Sequence, residues 1–195
     1  MKKFELTSEF ITNIFGTKLF RIKALIEFGN VKAGELGGFV EKEENLSQDG
    51  NAWVYDNARV CGDARVYGDA RVYGDACVCD NACVYDNARV YGDACVCGDA
   101  CVCGDARVCG DARVYGDACV CGDAGYATVH GFGSEYRTTT FFKTKAGDIG
   151  VKCGCFYGNL SEFRKKVVET HGETKKAKEY LMLADLMEFR FSDNS

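Results

Sequence analysis

The chain has 195 residues, of which 47% are apolar, and its 24 basic and 29 acidic residues leave a net charge of −5. No apolar stretch approaches the ~18 residues of a membrane helix, and the negative balance supplies no global positive field for holding nucleic acid. Lys2, Lys3 and Glu5 open the chain, but Ser8, Glu9 and Asn13 stand where a signal peptide needs an apolar run, so a cytoplasmic protein without membrane or nucleic-acid partner is expected.

Residues 18–25 alternate like a strand, and residues 34–46 lead into a repeat, with Leu46 falling in its Ala phase; residues 1–45 are therefore read as an N-terminal β cap. From Ala52 to Asp123 twelve uninterrupted hexads obey the formula Ala-x-Val-x-[Gly/Asp]-[Asp/Asn]. Ala and Val alternate with Arg, Cys, Tyr or Trp, the period of a short strand with one buried face. The last two residues of each hexad make a corner, where glycine accepts positive φ and Asp or Asn side chains bond the local backbone. Outward residues match in 11 of 18 pairs at a lag of eighteen, against 9 of 22 at six and 6 of 20 at twelve, so three hexads make one coil and four coils stack over residues 46–125. Stacked Val54, Val72, Val90 and Val108, with Ala at the tight places near the corners, predict a dry core and no tunnel.

Downstream, residues 135–143 form a β-branched and aromatic run that is predicted to pair, across Ala146-Gly147-Asp148, with residues 149–153. Leu160, Phe163, Val167 and Val168 keep helical spacing after Asn159, with Glu162 placed for a capping box and Gly172 as the stop. A second helix after Thr174 has Tyr180, Leu181, Ala184, Met187 and Phe191 as its apolar stripe. Residues 126–195 thus read as a small α+β domain of hairpin plus two helices.

Eighteen residues per coil, with a small residue two places before each aliphatic one, resembles the hexapeptide-repeat family. That resemblance covers residues 52–123 and implies a mainly β fold: a left-handed parallel β-helix of triangular section, three hexads per coil, with the two flanks as caps over its raw strand edges. The handedness comes from the resemblance alone. The run Glu41-Lys42-Glu43-Glu44-Asn45-Leu46, the hexads, and Gly150-Val151-Lys152-Cys153-Gly154-Cys155-Phe156 with Glu169-Thr170-His171-Gly172 look like a group of uncharacterised bacterial and phage proteins built as cap, helix and α+β tail. This likeness implies a phage-type setting and transfers no chemistry.

Sorted at lag eighteen, the outward residues form three ladders. The first holds Trp53, Tyr55, Arg71, Tyr73, Arg89, Tyr91, Arg107 and Cys109; Arg and Tyr are enriched at interface hot spots, so Tyr55, Arg71, Tyr73, Arg89, Tyr91 and Arg107 are the candidate partner-binding residues, although long and aromatic side chains also simply suit strands. The second holds Arg59, Cys61, Cys77, Cys79, Cys95, Cys97, Arg113 and Tyr115. The third holds Arg65, Tyr67, Cys83, Tyr85, Cys101, Cys103, Cys119 and Cys121, an apolar strip that is expected to be covered by the tail or by a second copy of the chain. Thiols at i and i+2, stacked coil on coil, have the chemistry for zinc or another soft metal, but as an extended sheet without histidine they read as small apolar residues, and no metal or other cofactor is expected. Disulfides between coils fit the geometry and are not expected in a reducing cytosol. The twelve corner Asp, against six Arg, give the helix −6 and read as turn formers rather than calcium ligands.

Hexapeptide-repeat acyltransferases commonly use a histidine at a trimer interface and a loop protruding from the coils. Here the hexads hold neither, and His130 and His171 lie outside them. The sequence therefore points to a non-catalytic binding or scaffold protein with a protein partner, in one version a phage-encoded inhibitor of a host defence protein; the alternative is an acyltransferase-like enzyme acting at a subunit interface.

Overall fold

The computed structural model describes residues 2–132 and 137–192. Its midsection is a β-solenoid of about five turns with three walls. Wall one stacks β4 (Trp53–Val54), β7 (Arg71–Val72), β10 (Arg89–Val90) and β13 (Arg107–Val108) in parallel register. Wall two stacks β5 (Arg59–Val60), β8 (Cys77–Val78), β11 (Cys95–Val96) and β14 (Arg113–Val114), and wall three β6 (Arg65–Val66), β9 (Cys83–Val84), β12 (Cys101–Cys103) and β15 (Cys119–Cys121). Every Val and Ala of the hexads is buried in one core, as the period-2 pattern requires.

The corners carry the positive φ that the hexad formula anticipates, at glycine or at Asp56, Asp80 and Asp86. Their carboxylates also tie coil to coil. Asp56, Asp80 and Asp86 accept from the amides of Gly74, Gly98 and Gly104, and Asp69, Asp99 and Asp105 accept from the side chains of Asn51, Asn81 and Asn87. The corner acids are turn formers here, and their repulsion is offset by these bonds.

At the lower end β1 (Phe4–Thr12), β2 (Lys18–Ala24) and β3 (Leu36–Val40) form an antiparallel set that extends wall two through β3 lying parallel to β5. The pairing of β1 was not evident in the sequence. Trp53, expected on the surface, is fully buried because Phe4 and Phe28 pack edge-on against its ring, at 6.1 and 5.3 Å between centroids. Leu46 is also displaced from its expected Ala phase. It bridges Val66, and Val40 pairs with Val60, so this first, incomplete turn is two residues longer than the eighteen of the others. Buried Asn45 holds the longer turn: its side chain donates to the carbonyls of Gly62 (3.0 Å) and Ala64 (2.8 Å) and accepts from the Lys42 amide (2.9 Å). Buried Lys3 reaches the Ala52 carbonyl at 3.0 Å, and burial lowers its pKa to about 8.

At the upper end β16 (Tyr126–Val129), β17 (Thr139–Lys143), β18 (Ile149–Cys153) and β19 (Phe156–Asn159) make an antiparallel sheet, of which β17 and β18 are the predicted hairpin. Glu135 and Tyr136, the start of the predicted strand, lie outside the described residues. β17 faces two ways, with Phe142 in the solenoid core and Phe141 in a second core under the helices. Helices α1 (Leu160–His171) and α2 (Lys175–Phe191) begin at Asn159 and Thr174; Asn159 and Glu162 form the capping box and Gly172 ends α1. Val168, expected on the buried stripe of α1, is exposed instead, because Phe163 and Val167 take the sheet-facing side.

The tail closes the end of the prism rather than covering wall three. It meets the last coils at their corners, where Lys145 donates to the Asp99 and Asp117 carbonyls and the Tyr157 hydroxyl to the Asp117 carboxylate. Tyr67 and Tyr85, stacked at 4.9 Å, stay partly exposed, so the tail is not the cover expected for that strip.

Candidate partner-binding face

All six candidate residues lie on wall one. Arg71, Arg89 and Arg107 are paired rung on rung, and Tyr55, Tyr73 and Tyr91 form a second column beside them. Tyr73 and Tyr91 stack with parallel rings 4.9 Å apart, while Tyr55 meets Tyr73 edge-on at 6.5 Å between centroids. The strand pitch imposes this spacing, because in-register parallel strands repeat identical side chains at ~4.8 Å. The tyrosines are half-buried and Arg89 and Arg107 exposed, so the face is rigid at its base and charged at its surface. Burial raises the Tyr55 pKa, against the lowering influence of Arg71; a hydrogen bond to Cys109 raises that of Tyr91.

Both ends of this face are bounded. Below, Asn30, Tyr55, Asp56, Arg71, Tyr73 and Arg89 line a shallow depression of about 320 Å3. Above, the Tyr126 hydroxyl caps the tyrosine column by accepting from the Cys109 amide at 3.3 Å. There Arg107, Tyr126, Thr128, Leu186, Phe189 and Arg190 line an open groove of about 710 Å3. This contribution of α2 was not evident in the sequence. The stripe expected to pack inward does so at Tyr180, Ala184, Met187 and Phe191, whereas Met182, Leu186 and Phe189 are exposed and spaced for the opposite helix face, a second apolar stripe whose spacing was also legible.

A family model described as the YdcK β-solenoid repeat matches residues 64–80, 82–98 and 106–122. Three stretches of the midsection are thus similar to YdcK β-solenoid repeats. A curated protein of Escherichia coli (strain K12), named "Uncharacterized acetyltransferase YdcK", is 40% identical over 63 residues, which are 29% of this chain. The match spans only 19% of that protein's length. The matched residues hold nine of the twelve wall strands, while β4, β5, β12, the cap and the tail lie outside them.

His130 and His171 are placed apart. His171 stacks on Tyr180 with ring centroids 5.9 Å apart. His130 is exposed, its Nδ1 3.1 Å from the Thr138 hydroxyl, and it lines a cleft of about 510 Å3 with Asp111, Arg113, Arg137, Thr138 and Cys155. Among the described residues no helix is long and apolar enough to cross a membrane.

Proposed function

We propose that this YdcK-like β-solenoid protein is a non-catalytic binding or scaffold protein, whose Arg/Tyr ladder on wall one captures a protein partner. The observation that carries the reading is the in-register column of Arg71, Arg89 and Arg107 beside the stacked tyrosines. It is a flat grid of the residue types that dominate interface energetics, held by a backbone that cannot rearrange. A partner fitting it carries carboxylates at the same pitch, with apolar groups to seat on the tyrosine rings and on Leu186 and Phe189. A host defence protein captured by a phage-encoded inhibitor is the version that names a partner, and its support is the sequence resemblance alone. The test is quantitative pulldown with mass spectrometry: proteins captured by the wild type are lost on Arg71→Ala/Arg89→Ala/Arg107→Ala, while circular dichroism is retained and the melting temperature does not fall. Equal capture by the triple variant refutes the assignment.

A second reading, an acyltransferase-like enzyme acting at a subunit interface, is favoured by the name of the E. coli relative and by the His130 cleft. It requires acetyl-CoA binding that weakens on His130→Ala. Calorimetry showing no heat of binding dismisses it.

A further inference from the structure

Wall two brings four cysteines together as a two-by-two grid. Cys77 and Cys95 are adjacent rungs of one ladder, Cys79 and Cys97 of the next. The sulfurs of Cys77, Cys79 and Cys95 all lie within 4.8 Å of one another. The Cys97 sulfur is 3.3 Å from that of Cys95 and is joined to Cys79 by a disulfide. A tetrahedral zinc–thiolate site has Zn–S bonds near 2.3 Å and hence sulfur–sulfur edges of roughly 3.8 Å, within about 1 Å of this spacing. The objection that the thiols make only an extended sheet does not hold on this wall.

We propose that, once the Cys79–Cys97 bond is reduced, Cys77, Cys79, Cys95 and Cys97 hold one soft d10 cation of the zinc type as a four-thiolate site. Reduction by a dithiol transfers two electrons and two protons to the Cys79 and Cys97 sulfurs, breaks the bond between them and leaves the dithiol as its own disulfide. Binding then releases one proton from each thiol to solvent, and the four thiolates with a divalent ion carry −2. The ladder supplies the balancing charge, since Arg59 sits one rung below Cys77 and Arg113 one rung above Cys95. Cys61 and the Tyr115 hydroxyl, 3.4 Å from the Cys95 sulfur, complete the surroundings as hydrogen-bonding neighbours.

Wall three provides the contrast. It has the same i, i+2 pattern and a Cys103–Cys121 disulfide, and Cys119 lies 3.6 Å from Cys121, but Cys101 turns out of the grid toward the Asp99 carbonyl (3.9 Å) and Cys83 toward that of Asn81 (3.8 Å). Among the described residues no group of three metal-ligating atoms forms there.

The experiment reduces the whole chain with dithiol, removes the reductant by anaerobic desalting and titrates with Co2+ alone. The expected result is about one Co2+ per chain, with sulfur-to-cobalt charge-transfer bands and tetrahedral visible bands that stoichiometric Zn2+ bleaches. The unreduced chain binds at least tenfold more weakly. Cys77→Ser/Cys95→Ser and, independently, Cys79→Ser/Cys97→Ser abolish the bands while far-ultraviolet circular dichroism is retained, and Cys101→Ser/Cys119→Ser leaves them intact. Absence of the bands in the reduced wild type overturns the proposal, as does their persistence in either wall-two variant or their loss in the wall-three variant.

Discussion

Substituting alanine at two corner glycines separates the strain of a single turn from the stacking of coil on coil. Gly98 and Gly110 both occupy left-handed backbone, at φ of 78° and 63°, so an added Cβ costs each about 1–2 kcal/mol. They differ in what lies one turn further along the solenoid. A Cβ on Gly98 meets the backbone of Gly116, with the amide nitrogen at 2.8 Å and Cα at 3.0 Å, whereas one on Gly110 has nothing within 4 Å because the hexads end above it. Neither coil can withdraw, since each is pinned by its ladder hydrogen bonds, so Gly98→Ala carries a further overpacking penalty of about 1–3 kcal/mol. Urea denaturation followed by circular dichroism, with the dependence on urea unchanged, checks the difference. Equal destabilisation by the two substitutions refutes the eighteen-residue stacking at this corner, and with it the rung-on-rung alignment of the side-chain ladders.

Two further predictions concern the cap. Lys3 has a pKa near 8 when folded and 10.5 as a free side chain, so between these values the unfolded chain holds more protons and stability rises with pH; below pH 8 the full penalty of burying the cation, about 2–3 kcal/mol, is present. The stability advantage of Lys3→Met over the wild type therefore narrows by that amount between pH 7 and 10.5 in parallel denaturation curves, and a pH-independent difference contradicts the burial. Asn45→Ala removes three hydrogen bonds from a fully buried side chain and strands their partners, which lowers stability by about 3 kcal/mol and the melting temperature by roughly 6–12 °C; a loss below 1 kcal/mol in calorimetry contradicts its role in the first turn.

What could be read from the sequence is what a local rule repeats. The hexads disclosed the walls, because Ala and Val alternate inward and the outward identities recur at eighteen; Asn159 with Glu162 disclosed the start of α1, because a capping box is a contact over three residues. The cap was legible only in part. Trp53 obeys the outward phase of its hexad, and nothing within that repeat announces Phe4 and Phe28, which bury it from distant positions. Leu46 keeps the phase by count but not in space, since two extra residues before Trp53 shift its partner to Val66. The thiols are a different case. Walls two and three share one spacing, and side-chain torsions decide that Cys77 and Cys95 converge with their neighbours on the first while Cys83 and Cys101 turn toward carbonyls on the second, which no residue count contains.

The same separation between backbone rule and side-chain identity bears on wall one. The solenoid requires only that an outward position suit a strand; Cys, Tyr and Arg all satisfy it on neighbouring walls. Three guanidiniums in register are a choice the fold does not make for its own stability, because like charges one strand pitch apart repel by up to about 1 kcal/mol per rung even at the dielectric of water. At the corners the stacked aspartates recover such a penalty through bonds to Gly amides and Asn side chains. Among the described residues, the side chains of Arg71, Arg89 and Arg107 make no hydrogen bond or ion pair that would do the same. A repulsive column left uncompensated within the chain would be relieved by carboxylates from outside, which is the physical reason that the proposed partner is assigned to this wall rather than to either of the other two.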